Sequence, residues 1–497
     1  MFGLFLGVVI LILSIIYLSG RYNEAYWNRR KVKFYPRNKF AGIFWDFLTK
    51  DKAVFENIYE IYKEHRKEPA IGLGGLMTPT LYVMDPTNIQ HVLATDFNSF
   101  NHRGITINDG DLLADNLLLM NGNRWKLMRQ NMTPLFTATK LKSMYYIIDK
   151  SASDFIDLLN NKPELLKGNV FHTLSSFCSA AVGAAVFGVG TKSIFDSPFL
   201  AMAQDSLAPS TINNIKFSIA NTSTVLFKLL NIKIFTRHEK FFIGAIKQII
   251  QERKRENVKK HDFADICVTL QKSGKLVDKE TGLELEPTDE LLAAQAFFFF
   301  IAGVEPTATA IFATLVELGR NPVHLEELHK EVDDAFNKND NTITYDVVCN
   351  MTYLDMAFNE AMRMHPPIGF LTRECVKETV LPVGNIKVDK GTRIFTPVFE
   401  IHHDERYFED PEVYKPERFS PENKHKIADI TFMPFGKGNR ICVGMRYATL
   451  QAKAGLMYLL RNFTVKTIIK EGGMRYSKQQ VQVRLDNVDL KLVARNY

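Results

Sequence analysis

Cysteine is scarce in this chain. There are five among 497 residues, at positions 178, 267, 349, 375 and 442. Their number is odd, their spacing is wide and no C-x-x-C pair occurs, which argues against a disulfide framework and against a zinc site; a reducing compartment fits better. No long Lys/Arg block interleaved with aromatics appears, so a nucleic-acid partner is not expected. The formal net charge of +7 suits an acidic partner or an anionic membrane surface instead. Internal repeats and low-complexity stretches are missing too. Gly72-Leu73-Gly74-Gly75 lacks G-x-G-x-x-G spacing, so it reads as turn glycine and not as a dinucleotide fingerprint. With no flavin or nicotinamide site legible, electrons for any redox chemistry must come from outside the chain. What is present is ample apolar material, 46% against 24% charged, enough for most of the chain to fold.

One long apolar run stands at the N-terminus. Phe2 to Leu18 carries no charge, Arg21 follows it, and Arg29-Arg30-Lys31 comes next. Seventeen residues at about 1.5 Å each give roughly 25 Å, close to the thickness of a hydrocarbon layer of roughly 30 Å. The basic cluster lies after the segment and none lies before it, which places the bulk of the chain on the cytosolic side. A cleaved secretory signal fits less well, because the basic n-region is missing and Ser19-Gly20 makes a poor cleavage site. Asn131, Asn221, Asn350 and Asn462 sit in N-x-S/T triplets and are expected to be unglycosylated. The expected organisation is an anchor over 1–20, a basic, Pro-containing linker over 21–45, and a single catalytic domain over 46–497.

Beyond the anchor, Ala70–Leu73 and Leu81–Met84 read as two short strands, and Asp85-Pro86 opens a helix. Helical patterns dominate from about residue 100 to 365. The longest spans Asp289 to Gly319 with Asp289 as its N-cap. Its run Phe297–Phe300 is apolar on every side, so the helix is expected to be buried all round. A second helix, Thr352 to His365, ends at Pro366-Pro367. Arg393–Phe399 reads as a strand, and a last helix runs from Cys442 to Arg461. This is a mainly α chain with small β-sheets.

The chemistry concentrates in Phe435-Gly436-Lys437-Gly438-Asn439-Arg440-Ile441-Cys442-Val443-Gly444. Loop glycines let backbone N–H groups turn toward the sulfur. The following helix start and Arg440 add positive potential, and all three favour a thiolate.

This loop resembles the haem-binding motif of the cytochrome P450 family, F-x-x-G-x-R-x-C-x-G, at every fixed position. The resemblance implies the family fold with an N-terminal transmembrane helix. It also implies haem b as cofactor and Cys442 as the thiolate ligand of its iron, pushing electron density toward O–O cleavage. Glu360-Ala361-Met362-Arg363 matches the family's E-x-x-R, with both side chains on one helical face, and Pro416-Glu417-Arg418-Phe419 matches its P-E-R-F element. By resemblance Glu360, Arg363 and Arg418 form a buried ion network supporting the cysteine loop. Trp125 and Arg129 match W-x-x-x-R. With Arg373 and Arg440 they are expected to bind the haem carboxylates, whose burial without cations would be very costly; Arg103 is a weaker candidate. Phe435 begins the motif.

The chain departs from the family at the oxygen-activating motif on the long helix, A/G-G-x-D/E-T. It reads Ala302-Gly303-Val304-Glu305-Pro306-Thr307. The acid Glu305 is kept. The alcohol that relays protons is replaced by proline, and Thr307, one place later, is rotated about 100° around the helix. Pro306 also removes the donor for the Ala302 carbonyl, so the helix is expected to kink or open. Glu305 and Thr307 are the candidate catalytic residues, with a water on the freed Ala302 carbonyl completing the relay.

The resemblance implies a monooxygenase inserting one atom of O₂ into a lipophilic molecule. The alternatives are a relative that rearranges or dehydrates peroxides without activating O₂, and a non-catalytic haem-binding protein. Phe297, Phe300, Ala302, Ile368–Leu371, parts of Asn101–Met120 and Gln479–Val483 are expected to line an apolar pocket. Val225–Phe235 is expected to dip into the bilayer at its entrance. Lys437, Arg446, Lys453, Lys126 and Arg124 are expected to form a basic face for NADPH-cytochrome P450 reductase and for cytochrome b5 as a second donor. The setting implied is the endoplasmic reticulum membrane, in a microsomal animal member of arthropod style.

Overall fold

The N-terminal apolar run forms a helix, α1 (Phe2–Arg29), in a computed structural model. The structure describes residues 2–495, apart from 38, 41, 50, 76, 77, 168, 189–194, 196–204, 206–210, 223, 257, 258 and 480. Helix α1 does not stop near residue 20. It continues through Arg29, and a further short helix covers Ile43–Thr49, so helix occupies both ends of the segment 21–45. The reason is packing: Trp27 is fully buried against the domain and Ser19 and Asn23 are buried as well.

Four strands make the main sheet: β1 (Ala70–Leu73), β2 (Thr80–Val83), β3 (Phe370–Glu374) and β4 (Arg393–Pro397). Their order is β1-β2-β4-β3, with β2 and β4 parallel and the outer pairs antiparallel. The second strand starts one residue earlier than read from sequence. Phe399, expected at the end of β4, instead belongs to the short helix Phe399–His402. The helix after β2 is capped by Asp85, whose side chain accepts from the Thr87 and Asn88 N–H groups, with Pro86 at its first position.

The helices that bear on the site are α2 (Gly122–Met132), α3 (Ala138–Asn161), α4 (Val170–Phe187), α5 (Thr211–Thr222), α6 (Thr224–Leu229), α7 (Glu239–Glu256), α8 (Asp289–Arg320), α9 (Thr352–Met364) and α10 (Met445–Asn462). A final antiparallel pair joins β5 (Phe463–Ile469) to β6 (Val488–Ala494). The N-cap of α8 is Thr288, whose side chain accepts from the Leu291 N–H; Asp289 sits in the first turn, where its charge favours the helix dipole. α8 packs on α4, α7, α9, α10 and β5, which is why its sequence is apolar on every side. The helix continues unbroken through Pro306, where a kink or opening was expected.

Three described helices are long and apolar enough to cross a membrane. The windows in α4 and α8 are 83% and 67% buried inside the fold, against 17% for Leu6–Arg29, so only α1 offers its apolar surface to lipid.

Glu400, behind the sheet, is enclosed by protein, and burial pushes its carboxyl up to about 8. Its folded-state value lies above the ordinary 4.5, so the folded chain holds a proton that the unfolded chain releases. The stability from this site is full below about pH 4.5 and is lost as pH rises through about 8. Glu400→Gln is expected to flatten that decline in urea titrations across the window. An unchanged slope would place the titrating group elsewhere.

Candidate active site

The cysteine loop is built by its glycines. Gly436 and Gly438 take φ of +79° and +70°, conformations that cost little only without a Cβ. A Cβ on Gly438 would stand 2.0 Å from the Leu93 carbonyl oxygen, so that position admits nothing larger. The Cys442 N–H donates to the Phe435 carbonyl at 2.9 Å, folding the loop back on itself. Helix α10 begins at Met445, so Cys442 lies on the turn before the helix and not on its first residue. Cys442 is exposed, yet burial dominates the shift of its thiol, so the sulfur fronts a space within the fold.

Burial raises the Cys442 pKa. The Gly444 N–H, Arg129 and Arg103 pull in the other direction. The cations helping the thiolate are therefore Arg129 and Arg103, not Arg440 as the loop sequence suggested. Arg440 turns aside: it donates to the carbonyls of Asn101 and Met120 and to Asn121 Oδ1, and its guanidinium stacks 4.2 Å from the Trp125 ring.

Around this loop the structure gathers Arg103, Arg129, Arg373 and Arg440. Arg129 donates to the Ile441 carbonyl at 2.9 Å, Arg103 to the Arg440 carbonyl at 3.2 Å, and Arg373 to the Thr372 carbonyl at 2.8 Å. Burial lowers all four. Mutual repulsion adds to this, taking Arg103 to about 10, Arg373 to about 9 and Arg440 to about 8. Among the described residues no carboxylate relieves any of them, and Arg103 Nε, Arg373 Nε and Arg440 Nη1 are buried without a hydrogen-bond partner. Buried, mutually repelling cations with unused donors are costly unless an anion joins them. The arrangement suits a large dianionic ligand beside the sulfur. Arg103 is as much a part of it as the other three.

The loop's support is a chain of buried polar contacts. Arg363 Nε and Nη2 grip the Glu360 carboxylate at 2.8 and 2.9 Å, and Arg418 Nε reaches it at 3.3 Å. Arg363 Nη1 donates to the His402 carbonyl at 2.8 Å, and His402 Nδ1 lies 3.2 Å from the Arg363 carbonyl. His402 Nε2 accepts from the Met433 N–H at 2.9 Å, so the ring is neutral with its proton on Nδ1. Burial agrees, pulling its pKa well below 6.5. The Met433 carbonyl then accepts from the Gly436 N–H at 2.9 Å. His402 is the link that the sequence reading missed. Its only signal was a histidine pair following a buried strand.

On α8, Ala302 is exposed in the middle of an otherwise covered helix. Phe298, four residues earlier and on the same face, is half-buried. Phe297 and Phe300, expected to line the pocket, are core instead: their rings meet Phe235, Phe242 and Phe187 at 4.9–5.6 Å. The helical period puts them about 100° or more from the Phe298–Ala302 line. Thr307 is buried, well away from the face of Ala302. Glu305 is buried and held above the usual carboxylate range by that burial. Gln482 and Arg484, the latter at 3.9 Å, oppose the shift. Gln482 in turn bridges to Ile368, bringing the segments before β3 and after Gln479 together; residue 480 lies outside the described residues.

The expected basic face is largely neutralised by the chain's own acids. Lys437 pairs with Asp429, Lys126 with Glu280, and Arg124 with Asp115. Lys453 is buried against Asp355. Arg446 is exposed.

A cysteine on a glycine-built loop beside clustered arginines with unused donors fits the haem-thiolate class of site. The protein-family model for Cytochrome P450 matches residues 36–491. Cytochrome P450 6B7 of Helicoverpa armigera is 30% identical over 488 residues, covering 94% of this chain and 93% of the relative. Probable cytochrome P450 6d4 of Drosophila melanogaster is 30% identical over 497 residues, 94% of each chain. Cytochrome P450 9e2 of Blattella germanica is 29% identical over 488 residues, 92% of this chain and 91% of the relative. The chain belongs to the cytochrome P450 family. It is a P450 monooxygenase, an oxidoreductase of insect type with haem as its cofactor. Haem's two carboxylates match the unused arginine donors, so the residues present fit the group.

That fit carries a prediction with opposite signs. Arg373→Leu removes a buried, unpaired cation, so the haem-free protein should gain thermal stability. With Arg373 bound to a haem carboxylate, the same change would remove a charged hydrogen bond worth about 1.5–3 kcal/mol, or roughly 10- to 100-fold in haem retention. Haem transfer to an acceptor protein and melting of the haem-free chain read the two effects. A parallel loss of both would make Arg373 a structural residue only.

Proposed function

We propose that this chain inserts one oxygen atom from O₂ into a lipophilic small molecule, with electrons passed from NADPH through a flavoprotein reductase and, as a second donor, cytochrome b5. The observation that carries the reading is the set of partnerless arginine donors around the Cys442 loop. Cys442 is the iron ligand, and Arg103, Arg129, Arg373 and Arg440 hold the haem carboxylates. Trp125 backs Arg440, and Phe435 closes the loop through its carbonyl. When bound, haem supplies the oxygen chemistry. The chain supplies the pocket, the thiolate and the protons.

Glu305 is the proton-holding group. Its burial favours the protonated form, and Gln482 and Arg484 restrain its carboxyl on the side facing the loop after Gln479. The Ala302 carbonyl, which Pro306 deprives of a helical donor, holds a water that extends the relay toward the exposed face of α8. Thr307 sits off that face and positions the helix. The apolar character of Phe298, Ala302 and Leu371 supports a lipophilic substrate. α1 anchors the protein in the endoplasmic reticulum membrane with the catalytic domain cytosolic, and Val225–Phe235 lies at the lipid surface. Because most of the expected basic cations pair internally, docking of the reductase relies on Arg446 and on shape more than on a broad charged face.

Co-expression with a reductase and a panel of lipophilic compounds tests the reading by NADPH-dependent products. Pro306 in the alcohol position favours a second one, rearrangement of a peroxide substrate. Turnover of a peroxide without NADPH or reductase would establish that alternative. Within the first reading, Glu305→Ala is expected to lower product formation by about 10²-fold, the scale of general acid–base assistance, and to raise peroxide release per NADPH. Unchanged product and peroxide yields would rule out the relay.

A further inference from the structure

Helix α1 changes character at one residue. From Leu6 to Leu18 it is largely exposed, with Leu11, Leu13 and Leu18 each about 60% exposed. From Ser19 onward it is docked. Ser19 Oγ and Asn23 Nδ2 both donate to the Gly75 carbonyl. A Cβ on Gly20 would meet the Lys39 carbonyl oxygen at 2.9 Å and the Phe40 ring at 2.6 Å, so the glycine allows close approach there. Trp27 lies on Gly72 of β1 so closely that a Cβ on Gly72 would stand 2.4 Å from the indole. Tyr26 Oη donates to Asp389 Oδ2 at 2.9 Å, and Arg30 pairs with the same carboxylate while its guanidinium lies 3.7 Å over the Tyr26 ring. The chain beyond the helix then pairs with β1, the Gly72 N–H donating to the Lys33 carbonyl and the Tyr35 N–H to the Gly72 carbonyl. A flexible tether needs none of these contacts.

The direction of the helix is set at one end of the main sheet. Gly75, which holds Ser19 and Asn23, follows β1 at the end where Leu73 pairs with Thr80 and Thr80 pairs with Arg393. Arg393 Nη2 donates to the carbonyls of Gly104 and of Ala220 in α5. α5 and α6 therefore hang from the same end of the sheet at which the exposed half of α1 departs. Their outward side chains are apolar: Ile212, Val225 and Leu229 are 66%, 75% and 78% exposed. Tyr17 stacks on Phe40 at the departure point, and Tyr22 and Trp45 are exposed nearby in sequence, the aromatic composition of a membrane interface.

We propose that Ser19–Arg29 is a rigid bracket that fixes the angle between the membrane helix and the catalytic domain and seats the apolar tips of α5 and α6 in the same leaflet. This rests on the reading that Phe2–Leu18 spans the bilayer. A span this short, about 25 Å at 1.5 Å per residue, draws its docked half down to the headgroups. A flexible linker would let the domain tumble above the surface, whereas the bracket transmits the helix tilt to the haem plane.

The test uses the full-length, haem-loaded protein in oriented bilayers, with haem tilt read by polarised absorption and by the angular dependence of the ferric EPR signal. The wild type is expected to show one narrow tilt distribution. Inserting a flexible Gly-Ser segment between Leu18 and Ser19 leaves the docked half intact and is expected to broaden the distribution to near isotropy, with the reduced carbonyl spectrum unchanged. Trp27→Ala combined with Asp389→Ala, which loosens the bracket itself, is expected to do the same. A wild-type tilt retained by the insertion variant would overturn the bracket, since α5 and α6 would then set the angle alone. A broad wild-type distribution would overturn it too. Release of the wild type by alkaline carbonate would overturn the spanning reading underneath it.

Discussion

Replacing Glu360 with alanine is expected to destabilise the protein by about 3–5 kcal/mol, the cost of leaving a buried charge without its partner. Arg363 is fully buried and gives two of its donors to that carboxylate, and Arg418 leans on it as well. Without Glu360, Arg363 keeps only carbonyl oxygens, those of His402 at 2.8 Å and Val413 at 3.5 Å. The damage does not stay local. The His402 ring is held by the Arg363 carbonyl, and it in turn holds Met433 and through it the turn at Gly436. Haem retention should therefore fall together with urea stability. The network gives specificity more than net stability, so the combined change Glu360→Met, Arg363→Leu, Arg418→Met should recover most of the urea stability without recovering haem retention. A Glu360→Ala protein less than about 1 kcal/mol below wild type would contradict the inference that the pair is buried and interdependent.

Replacing Cys442 with serine is expected to have the opposite profile. The fold should survive, because the loop is held by backbone contacts, Cys442 N–H to Phe435 and Ile441 N–H to Gly438, that serine preserves. The change in urea stability should stay within about 0.5–1 kcal/mol. The chemistry should vanish. An alcohol beside Arg129 and Arg103 does not ionise as a thiol does, so with Cys442 as the proposed ligand the iron would lose the electron donation that favours O–O cleavage. NADPH-dependent product should drop to background, and the reduced carbonyl complex should lose the red-shifted Soret band of a thiolate. Persistence of that band would place the ligand on another of the cysteines. Cys178, Cys267 and Cys375 are buried with their pKa values pushed up, and Cys349 is exposed.

Much of the site was legible from side-chain type at fixed spacing. The motif around Cys442, the i, i+3 pair at Glu360 and Arg363, and the two strands near Ala70 and Leu81 are local patterns, and local sterics or one helical turn decide them. The departure at Pro306 is equally local. Where direction matters, the sequence was a poorer guide. Phe297 and Phe300 were expected on the pocket side, yet the rotation of α8 is set by α4 and α7, which receive those rings. Arg440 was expected to stand by the sulfur, but carbonyls at Asn101 and Met120 turn it away. Lys453 and Lys126 looked like free surface charge because their acidic partners, Asp355 and Glu280, lie far off in the chain.

By itself the sequence determined the class of chemistry: a thiol in a glycine-bounded loop, a supporting acid–arginine pair, a proline at the alcohol position of the long helix and an apolar N-terminal helix. These are properties of residue type and short spacing, so they survive without coordinates. Only the tertiary structure decided which arginines face one another without a carboxylate, that His402 links the ion pair to the cysteine loop, that Glu305 turns to Arg484, and that α1 is clamped to the sheet. Each of those depends on segments tens to hundreds of residues apart meeting at hydrogen-bond distance, and that follows from how the helices and sheet pack, which no local pattern encodes.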